Sequence, residues 1–364
     1  MPQTIKRMQN RGHNECKIGD MEVYLLKEDI LTILPILDIA AAYIIDLAAG
    51  DPHRLPHPVR GIGWMISGLE RWLRRRAVAV METKCKIGRE KAERISGGFL
   101  AFFVALAAFM AVFALLEAAK AAHCILFHAL NIYFVYSAFA ARCLADEAMK
   151  VYGALAENDL PEARKRLAML VGRETSTLDE KEVVRATVET VAENTVDGVI
   201  SPIVFAAAGS FFGIAAPAAY LFKAVSTLDS MVGYMNEKYI NFGRVSAKLD
   251  DILNWLPARL SGLIIPAAAF LLGKDSAGSF RIMLRDRRNH KSPNCAYPEA
   301  ATAGALGVRL GGRSVYFGKV VEKPTIGDDL HPLVASHIKD AVKLMLVSSF
   351  VTIAPLLIIL LCLQ

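Results

Sequence analysis

Apolar residues in this chain are grouped into six stretches separated by polar segments. Crossing the hydrocarbon core of a membrane as a helix takes about 20 apolar residues. The stretches lie at about 30–48, 96–119, 121–145, 199–222, 257–273 and 341–363. The pattern predicts an all-α integral membrane protein with about four to six membrane helices.

Two of the stretches are weaker than the other four. The stretch 199–222 is interrupted by two prolines and two glycines, and 257–273 is only 17 residues long and contains Arg259 and Pro266. Proline removes a backbone donor and disrupts a helix interior. We therefore expect these two stretches to be candidates for re-entrant or half-membrane helices.

The polar residues divide the chain into a tail and a membrane domain. Residues 1–29 are mixed in charge and predict a polar N-terminal tail, and 30–363 predicts a single membrane-embedded catalytic domain. Between the apolar stretches, the segments 49–95, 146–198 and 274–340 hold 29 of the 42 Lys and Arg residues, so the charge rule assigns them to the cytoplasm. If all six stretches span, 223–256 lies outside; if both weak stretches dip in and return, all four loops are cytoplasmic.

The composition argues against several kinds of binding site. The chain is 364 residues long, 54% hydrophobic and 21% charged, with a net charge of +6. Its six cysteines include no C-x-x-C pair, so neither a zinc site nor a disulfide framework is indicated. The basic cluster of Arg71 and Arg74–Arg76 belongs to no recognised nucleic-acid-binding module, which favours an anchor for lipid headgroups over nucleic-acid binding.

The first polar segment of chemical interest is GDPHRLPHPVR, at 50–60. Its three prolines predict a stiff, extended loop, so His53 and His57 are not a helical metal pair. The loop presents these two imidazoles with the guanidinium groups of Arg54 and Arg60. An anion-binding loop and a rigid turn at the end of a helix are both compatible with it.

The second segment, 172–198, predicts a helix with a stripe of charge. Thr177 and Glu180 have capping-box spacing, so we expect a helix from there to about Asn194. On it Arg185, Glu189 and Glu193 share one face. An ordinary exposed, salt-bridged helix shows the same stripe. Its continuation into Asn194 and Asp197, where the chain enters an apolar stretch, favours a carboxylate-rich Mg²⁺ site at the membrane surface.

The third and fourth segments add further acids, bases and glycines. The third contains Lys223, Asp229, Asn236, Lys238, Asp250 and Asp251. Adjacent acids at 250 and 251 point to different helix faces, so Asp229 and Asp250 are the better metal-ligand candidates. The fourth contains His290 and a glycine-rich run that ends in Gly311 and Gly312, whose backbone could cradle phosphate. The chain has neither a Walker motif nor a dinucleotide fingerprint.

In this order, the four segments resemble the adenosylcobinamide-phosphate synthase family of cobalamin (vitamin B12) biosynthesis. The resemblance covers about 30–330, and VETVAENTVDG with TLDSMVGY is its most selective part. One departure is Cys295-Ala296, where the family pattern has a small residue and glycine. The resemblance implies an integral membrane ligase that uses ATP and Mg²⁺ to join aminopropanol phosphate, or aminopropanol, to a propionate carboxylate of adenosylcobyric acid, a corrinoid.

The resemblance also implies roles for the residues above. For catalysis we expect Glu189, Glu193, Asp197 and Asp229, with His53, His57 or His290 as candidate bases. For Mg²⁺ we expect Glu193, Asp197, Asp229 and Asp250. For ATP and phosphate groups we expect Arg54, Arg60, Arg173, Lys223, Lys238, Asn236, Gly311 and Gly312. The polar loops would form a catalytic layer on the cytoplasmic side of a multi-pass protein of the cell membrane. Both a monomer and a homodimer are compatible with the sequence.

Two other classes of function compete with the ligase. A transporter would account for the broken apolar stretches and for Asp38 and Asp46 in the first one, but no inverted repeat is visible. A non-catalytic membrane scaffold or sensor would tolerate alanine at Glu193 or Asp229. A ligase would lose activity on either substitution while remaining in the membrane.

Overall fold

The structure, a computed structural model, describes residues 36–51, 57–172, 174–316 and 319–363. Its first half runs from α1 (36–49) to α2 (Pro58–Trp72), which continues through a π-helical stretch (Leu73–Val78) into α3 (Ala79–Thr83). Then follow α4 (Arg89–Ala122), α5 (Cys124–Ala138), α6 (Ala141–Ala156) and α7 (Leu160–Ala168). One continuous apolar core joins residues from α1 to the C-terminal helix.

The second half carries the polar segments. It comprises α8 (Glu180–Asn194), a π-helical stretch (Thr195–Ile200), α9 (Ser201–Ser210), α10 (Ala215–Val232), α11 (Arg244–Leu253), α12 (Trp255–Leu271), α13 (Ser276–Asp286), α14 (Ala296–Leu306), strands β1 (Leu310–Tyr316) and β2 (Lys319–Ile326), and α15 (Ser336–Leu363). The division into a tail and one domain stays a prediction, and the tail lies outside the described residues.

Among the described residues, four helical runs are long and apolar enough to cross a membrane. They are Arg89–Ala122, Cys124–Ala156, Glu180–Ser210 and Ser336–Cys362, and a fifth results if α11 and α12, which meet at 45°, count as one span. On α4, Phe99, Phe102 and Phe103 are exposed while Leu100 and Val104 are buried. Large apolar side chains on an outer face suit contact with lipid, and the predicted all-α membrane fold is confirmed.

The weak stretch at 199–222 is not one continuous helix. Its residues belong to α9 and α10, which pack against each other across a tight turn at 211–214. Gly213 has φ +68°, and a Cβ on Gly209 would lie 2.6 Å from the Ala218 side chain and from the Ile214 carbonyl oxygen. Positive φ and close backbone approach both favour glycine. A helical hairpin of this kind is the shape that a re-entrant segment requires.

Three local details differ from the sequence-based expectations. The capping box of α8 uses Asp179 and Glu182, two residues after the predicted Thr177 and Glu180, because Asp179 accepts the Glu182 backbone N–H at 2.8 Å. The segment 50–60 is not extended throughout, since Pro58 begins α2, where its missing N–H costs no hydrogen bond. The glycine-rich run leads into an antiparallel hairpin with a bulge between Leu310 and Gly312, which periodicity did not indicate.

Candidate active site

Two adjacent cavities bring the polar segments together. The larger has a volume of about 570 Å³ and the smaller about 360 Å³. Five residues line both of them and form what we call the shared wall: Glu193, Asp197, Asp229, Gly233 and Tyr234. Three of the predicted catalytic carboxylates therefore lie on one surface that is open to two pockets.

The carboxylates of the shared wall lie where helices end or change their geometry. Glu193 lies in the last turn of α8, and Asp197 lies in the π-helical stretch that follows. A π-helical turn shifts the side chains that follow it around the helix axis and is frequent at functional sites. Asp229 lies in the last turn of α10, before Gly233 ends that helix. The shared wall is thus assembled where two helices lose their regular geometry.

Asp229 titrates unusually because of its surroundings. Burial, with repulsion from the carboxylates of Asp251 and Glu193, raises its pKa to about 6. A carboxyl with a pKa near 6 remains ionised at neutral pH but holds a proton far more readily than an ordinary aspartate. Of the acids on the shared wall, Asp229 therefore has a clear physical basis for accepting a proton during catalysis.

Asp250 and Asp251 both line the larger cavity, which corrects the expectation that only one of two adjacent acids would face the site. Asp250 accepts a hydrogen bond from the Asn254 side-chain amide at 3.0 Å, and the Ser292 hydroxyl donates to Asp251 at 3.2 Å. Both acids therefore lie on the broad face of α11 that borders the cavity.

His290 also lines the larger cavity. Its Nδ1 accepts the backbone N–H of Ser292 at 3.0 Å. Burial, together with the nearby positive charge of Lys323, lowers its pKa, which keeps the ring neutral at neutral pH. A neutral imidazole with Nδ1 engaged as an acceptor carries its proton on Nε2. His290 is therefore suited to donate a hydrogen bond rather than to act as the base.

Glu189 lines the smaller cavity and also anchors the β-hairpin. Its carboxylate accepts the backbone N–H of Gly311 at 2.8 Å, and Arg185 donates to the Gly311 carbonyl at 2.6 Å. Gly311 and Gly312 both have φ +80°, and a Cβ on Gly311 would collide with the Pro324 carbonyl oxygen. These glycines shape the hairpin and line neither cavity, so their predicted contact with phosphate has no support from this geometry.

The other predicted residues lie away from the cavities or outside the described residues. His57 caps α2 by accepting the Val59 N–H at 3.3 Å, and Arg60 is exposed on that helix. Asn236 accepts the Tyr239 N–H at 3.1 Å, and Lys238 contacts Tyr239 and Glu70. Burial lowers the pKa of Lys223 against the opposing charges of Asp51, Asp46 and Asp197, and the residue lines neither cavity. His53, Arg54 and Arg173 fall outside the part of the chain that the structure describes.

Sequence reasoning missed several residues that line the larger cavity. Arg244, Lys248 and Lys291 are exposed there, and Tyr239 and Met235 form part of its wall. The i, i+4 spacing of Arg244 and Lys248 on an amphipathic helix was the available signal. Cys295, noted only as a departure from the family pattern, donates its thiol to Glu193 at 3.2 Å.

The fit of these carboxylates to Mg²⁺ depends on what else binds the ion. No group of three or more His, Cys, Asp or Glu side chains is arranged to hold a metal by itself in the described ranges. Mg²⁺ is usually held by one or two carboxylates together with substrate phosphates and water. Glu193, Asp197 and Asp229, which repel one another beside a cavity, suit this mode of binding rather than a protein cage.

Comparison with known proteins places the chain in a family. The family model "CobD/Cbib protein" matches residues 39–345. Three similar proteins are each named "Cobalamin biosynthesis protein CobD". The Clostridium tetani protein is 44% identical over 86% of this chain and 94% of its own length, and the Geobacter metallireducens protein is 47% identical over 84% of this chain and 91% of its own length. The Klebsiella pneumoniae protein is 45% identical over 86% of this chain and 93% of its own length. No solved structure matches. With its carboxylate-walled cavities and membrane helices, this chain belongs to the CobD/Cbib protein family.

Proposed function

We propose that this chain is an ATP-dependent amide-forming ligase that joins aminopropanol phosphate, or aminopropanol, to a propionate carboxylate of adenosylcobyric acid. Family membership supports a role as an enzyme of cobalamin biosynthesis. The specific reaction comes from the resemblance of the four polar segments to adenosylcobinamide-phosphate synthases, and its product would be adenosylcobinamide phosphate.

The observation that carries the proposal is the shared wall. Residues far apart in sequence, from the second, third and fourth polar segments, line the larger cavity together. A reaction among a nucleotide, an amine and a carboxylic acid needs neighbouring pockets that open on one set of reactive groups. Two cavities joined at Glu193, Asp197 and Asp229 meet that requirement.

The chemistry that we propose has two steps. In the first, a propionate oxygen of the corrinoid attacks the terminal phosphorus of ATP, the bond to ADP breaks, and an acyl phosphate forms. In the second, the neutral amine attacks the acyl carbon and the C–O bond to phosphate breaks. The departing phosphate takes the proton that the nitrogen loses after attack, so the products are inorganic phosphate and the amide. Mg²⁺ would neutralise the charge of the triphosphate during the first step.

Residues of the shared wall have distinct tasks in these steps. Asp229, with its pKa of about 6, takes the proton that the ammonium group loses when it becomes a nucleophile. Glu193 and Asp197 would hold the metal with the phosphates. The thiol of Cys295 orients Glu193 through its hydrogen bond. Nε2–H of His290 is available to donate to a phosphate or carboxylate oxygen in the larger cavity.

The candidate membrane helices are compatible with the proposed reaction. The corrinoid is a large, partly apolar ring, and the candidate membrane spans supply apolar surface beside a polar site. Use of ATP requires the cavities to open to the cytoplasm, which agrees with the basic loops that the charge rule assigns there. We therefore propose a multi-pass cell-membrane protein with cytoplasmic catalytic loops.

A direct assay tests the proposal. Purified protein in detergent is incubated with adenosylcobyric acid, ATP, Mg²⁺ and either amine, and the amide product is followed by mass spectrometry. We expect product with at least one amine and none without ATP. Absence of product with both amines, from protein that retains its thermal unfolding transition, would reject the ligase in favour of a transporter or scaffold.

A further inference from the structure

The two cavities carry different charges once the shared wall is set aside. The larger cavity then keeps two carboxylates, Asp250 and Asp251, and three cations, Arg244, Lys248 and Lys291. The smaller keeps two carboxylates, Glu189 and Glu299, and one cation, Lys323. The larger cavity is therefore the better site for a polyanion, and the smaller one for a small ligand with a positive charge.

The three cations of the larger cavity are available to a ligand. All three are exposed, and none forms an ion pair or side-chain hydrogen bond with another residue that the structure describes. Arg244 and Lys248 lie one turn apart on α11, and Lys291 belongs to the loop before α14. Cations on two separate elements can contact successive phosphates of a chain without first breaking other contacts.

The same cavity has an apolar and aromatic side. The rings of Tyr234 and Tyr239 lie 6.4 Å apart, and the side chains of Met235 and Ile240 are 81% and 51% exposed. Flat heterocyclic bases stack on aromatic side chains irrespective of base identity. A cavity lined by aromatic residues, cations and carboxylates offers groups that match the base, triphosphate and metal of a nucleotide.

We propose that the larger cavity is the nucleotide subsite, with Arg244, Lys248 and Lys291 as triphosphate contacts, and that the smaller cavity receives the ammonium group of the amine. This partition rests on the proposed function. The volume of the larger cavity, about 570 Å³, suits a nucleotide, and that of the smaller cavity, about 360 Å³, suits a three-carbon amine. Glu299, only 4% exposed, lies in the smaller cavity and attracts the ammonium.

Direct binding tests the partition without turnover. A non-hydrolysable ATP analogue is titrated with Mg²⁺ into purified wild type, the double variant Lys248→Gln/Lys291→Gln, and Glu299→Gln. Lys181→Gln is the matched control, because Lys181 is exposed on α8 and lines neither cavity. We expect the double variant to bind the analogue at least about tenfold more weakly, and Glu299→Gln and the control to bind it as wild type does.

Steady-state kinetics then assign the smaller cavity. The double variant should raise KM for ATP and not for the amine, and Glu299→Gln should raise KM for the amine and not for ATP. Unchanged analogue binding in the double variant, or no binding by wild type, overturns the nucleotide subsite. Weakened binding of adenosylcobyric acid instead would assign the larger cavity to the corrinoid. Failure of wild type to make the amide while it binds the analogue would reject the proposed reaction and not the subsite.

Discussion

At the scale of single residues, Asp229 shows how the fold makes an ordinary side chain reactive. The motif TLDSMVGY marks Asp229 as a candidate, but nothing in the local sequence indicates a shifted pKa. Its pKa rises because the side chain is buried and because the fold brings the carboxylates of Asp251 and Glu193 near it. The sequence identified Asp229 as a candidate. The shift of its pKa depends on contacts between segments that lie more than 20 positions apart, and residue spacing does not predict such contacts.

The first prediction concerns Asp229→Asn. Loss of the proton acceptor should lower kcat by about 10²-fold or more. In wild type, kcat should fall as the pH drops through about 6, because protonated Asp229 cannot accept a proton. Purified enzymes assayed from pH 5 to 8 provide the measurement, with exposed Glu157→Gln as the control. An unchanged kcat would remove Asp229 from the mechanism.

The same variant should be more stable than wild type at neutral pH. Between pH 3.8 and about 6 the folded protein binds more protons at this position than the unfolded chain does, so stability falls as the pH rises through that window. Above it, the ionised carboxylate costs up to about 3 kcal/mol. Thermal unfolding in detergent should therefore give a higher Tm for Asp229→Asn at pH 7.5, with the difference shrinking towards pH 4. A lower Tm at pH 7.5 would contradict this.

Arg74, in the π-helical stretch that follows α2, contacts the loop that borders the larger cavity. Its guanidinium lies 4.1 Å from the ring centre of Phe242 and 5.3 Å from that of Tyr239, and it pairs with Glu70 at 3.0 Å. In the sequence, Arg74 belongs to the cluster of arginines that is predicted to anchor lipid headgroups. Its aromatic partners lie about 165 residues away in the chain, so the cluster could not be divided by sequence alone.

We predict that Arg74→Ala destabilises the protein while Arg75→Ala does not. Removing Arg74 abolishes two cation–π contacts and leaves Glu70, 9% exposed, without its nearest guanidinium, at a cost of about 2 kcal/mol or more. Arg75 is exposed, so it serves as the matched control. Thermal unfolding of the two variants provides the measurement, and equal Tm values would show that Arg74 is only a surface charge.

At the scale of elements, the long helices and their order were predictable, and the breaks in them were not. Apolar runs indicated α4 and α15 directly, and the interruptions at Gly209 and Gly213 indicated the hairpin of α9 and α10. The π-helical turn at Asp197 and the β-hairpin were missed. Both depend on packing against other elements, such as Glu189 holding the Gly311 N–H, rather than on local periodicity.

Two adjacent glycines on α4 give a prediction about element packing. A Cβ on Gly97 would collide with the Phe242 carbonyl oxygen, whereas one on Gly98 would lie 3.7 Å from Val245, an ordinary contact. Gly97→Ala should therefore separate α4 from the chain at 242 and cost about 3 kcal/mol or more. Gly98→Ala should be neutral or slightly stabilising, because alanine favours helix. Thermal unfolding of both variants checks this, and a tolerated Gly97→Ala would contradict the packing.

At the scale of the whole molecule, the cavities favour one of the two topologies that the charge pattern allowed. Asp229 and Asp250, from 223–256, share the larger cavity with Glu193 and His290, from the two flanking basic loops. Residues that line one pocket open to the same side of the membrane. This supports the arrangement in which all four loops lie on one side. The hairpin of α9 and α10 has the shape that this arrangement requires, whereas the other weak stretch forms the single helix α12, so its return to the same side stays a prediction.

Cysteine accessibility tests that arrangement. In a background without the native cysteines, Glu237→Cys should react with an impermeant maleimide only from the cytoplasmic side. Glu180→Cys, at the start of α8 in the segment 146–198 that both topologies assign to the cytoplasm, should behave identically. Phe212→Cys, at the exposed tip of the hairpin, should be protected by lipid from either side. Labelling of position 237 from outside would show that the weak stretches cross the membrane.

The most direct test of the proposed reaction follows the oxygen atoms. Adenosylcobyric acid labelled with ¹⁸O in its reacting carboxylate is turned over by the purified enzyme with ATP, Mg²⁺ and aminopropanol phosphate. If the carboxylate is activated by the terminal phosphoryl group, one ¹⁸O atom appears in inorganic phosphate and one remains in the amide. Amide formation with ¹⁸O in AMP, or in neither phosphate nor nucleotide, would contradict the acyl phosphate at the shared wall, and no amide at all would contradict the ligase.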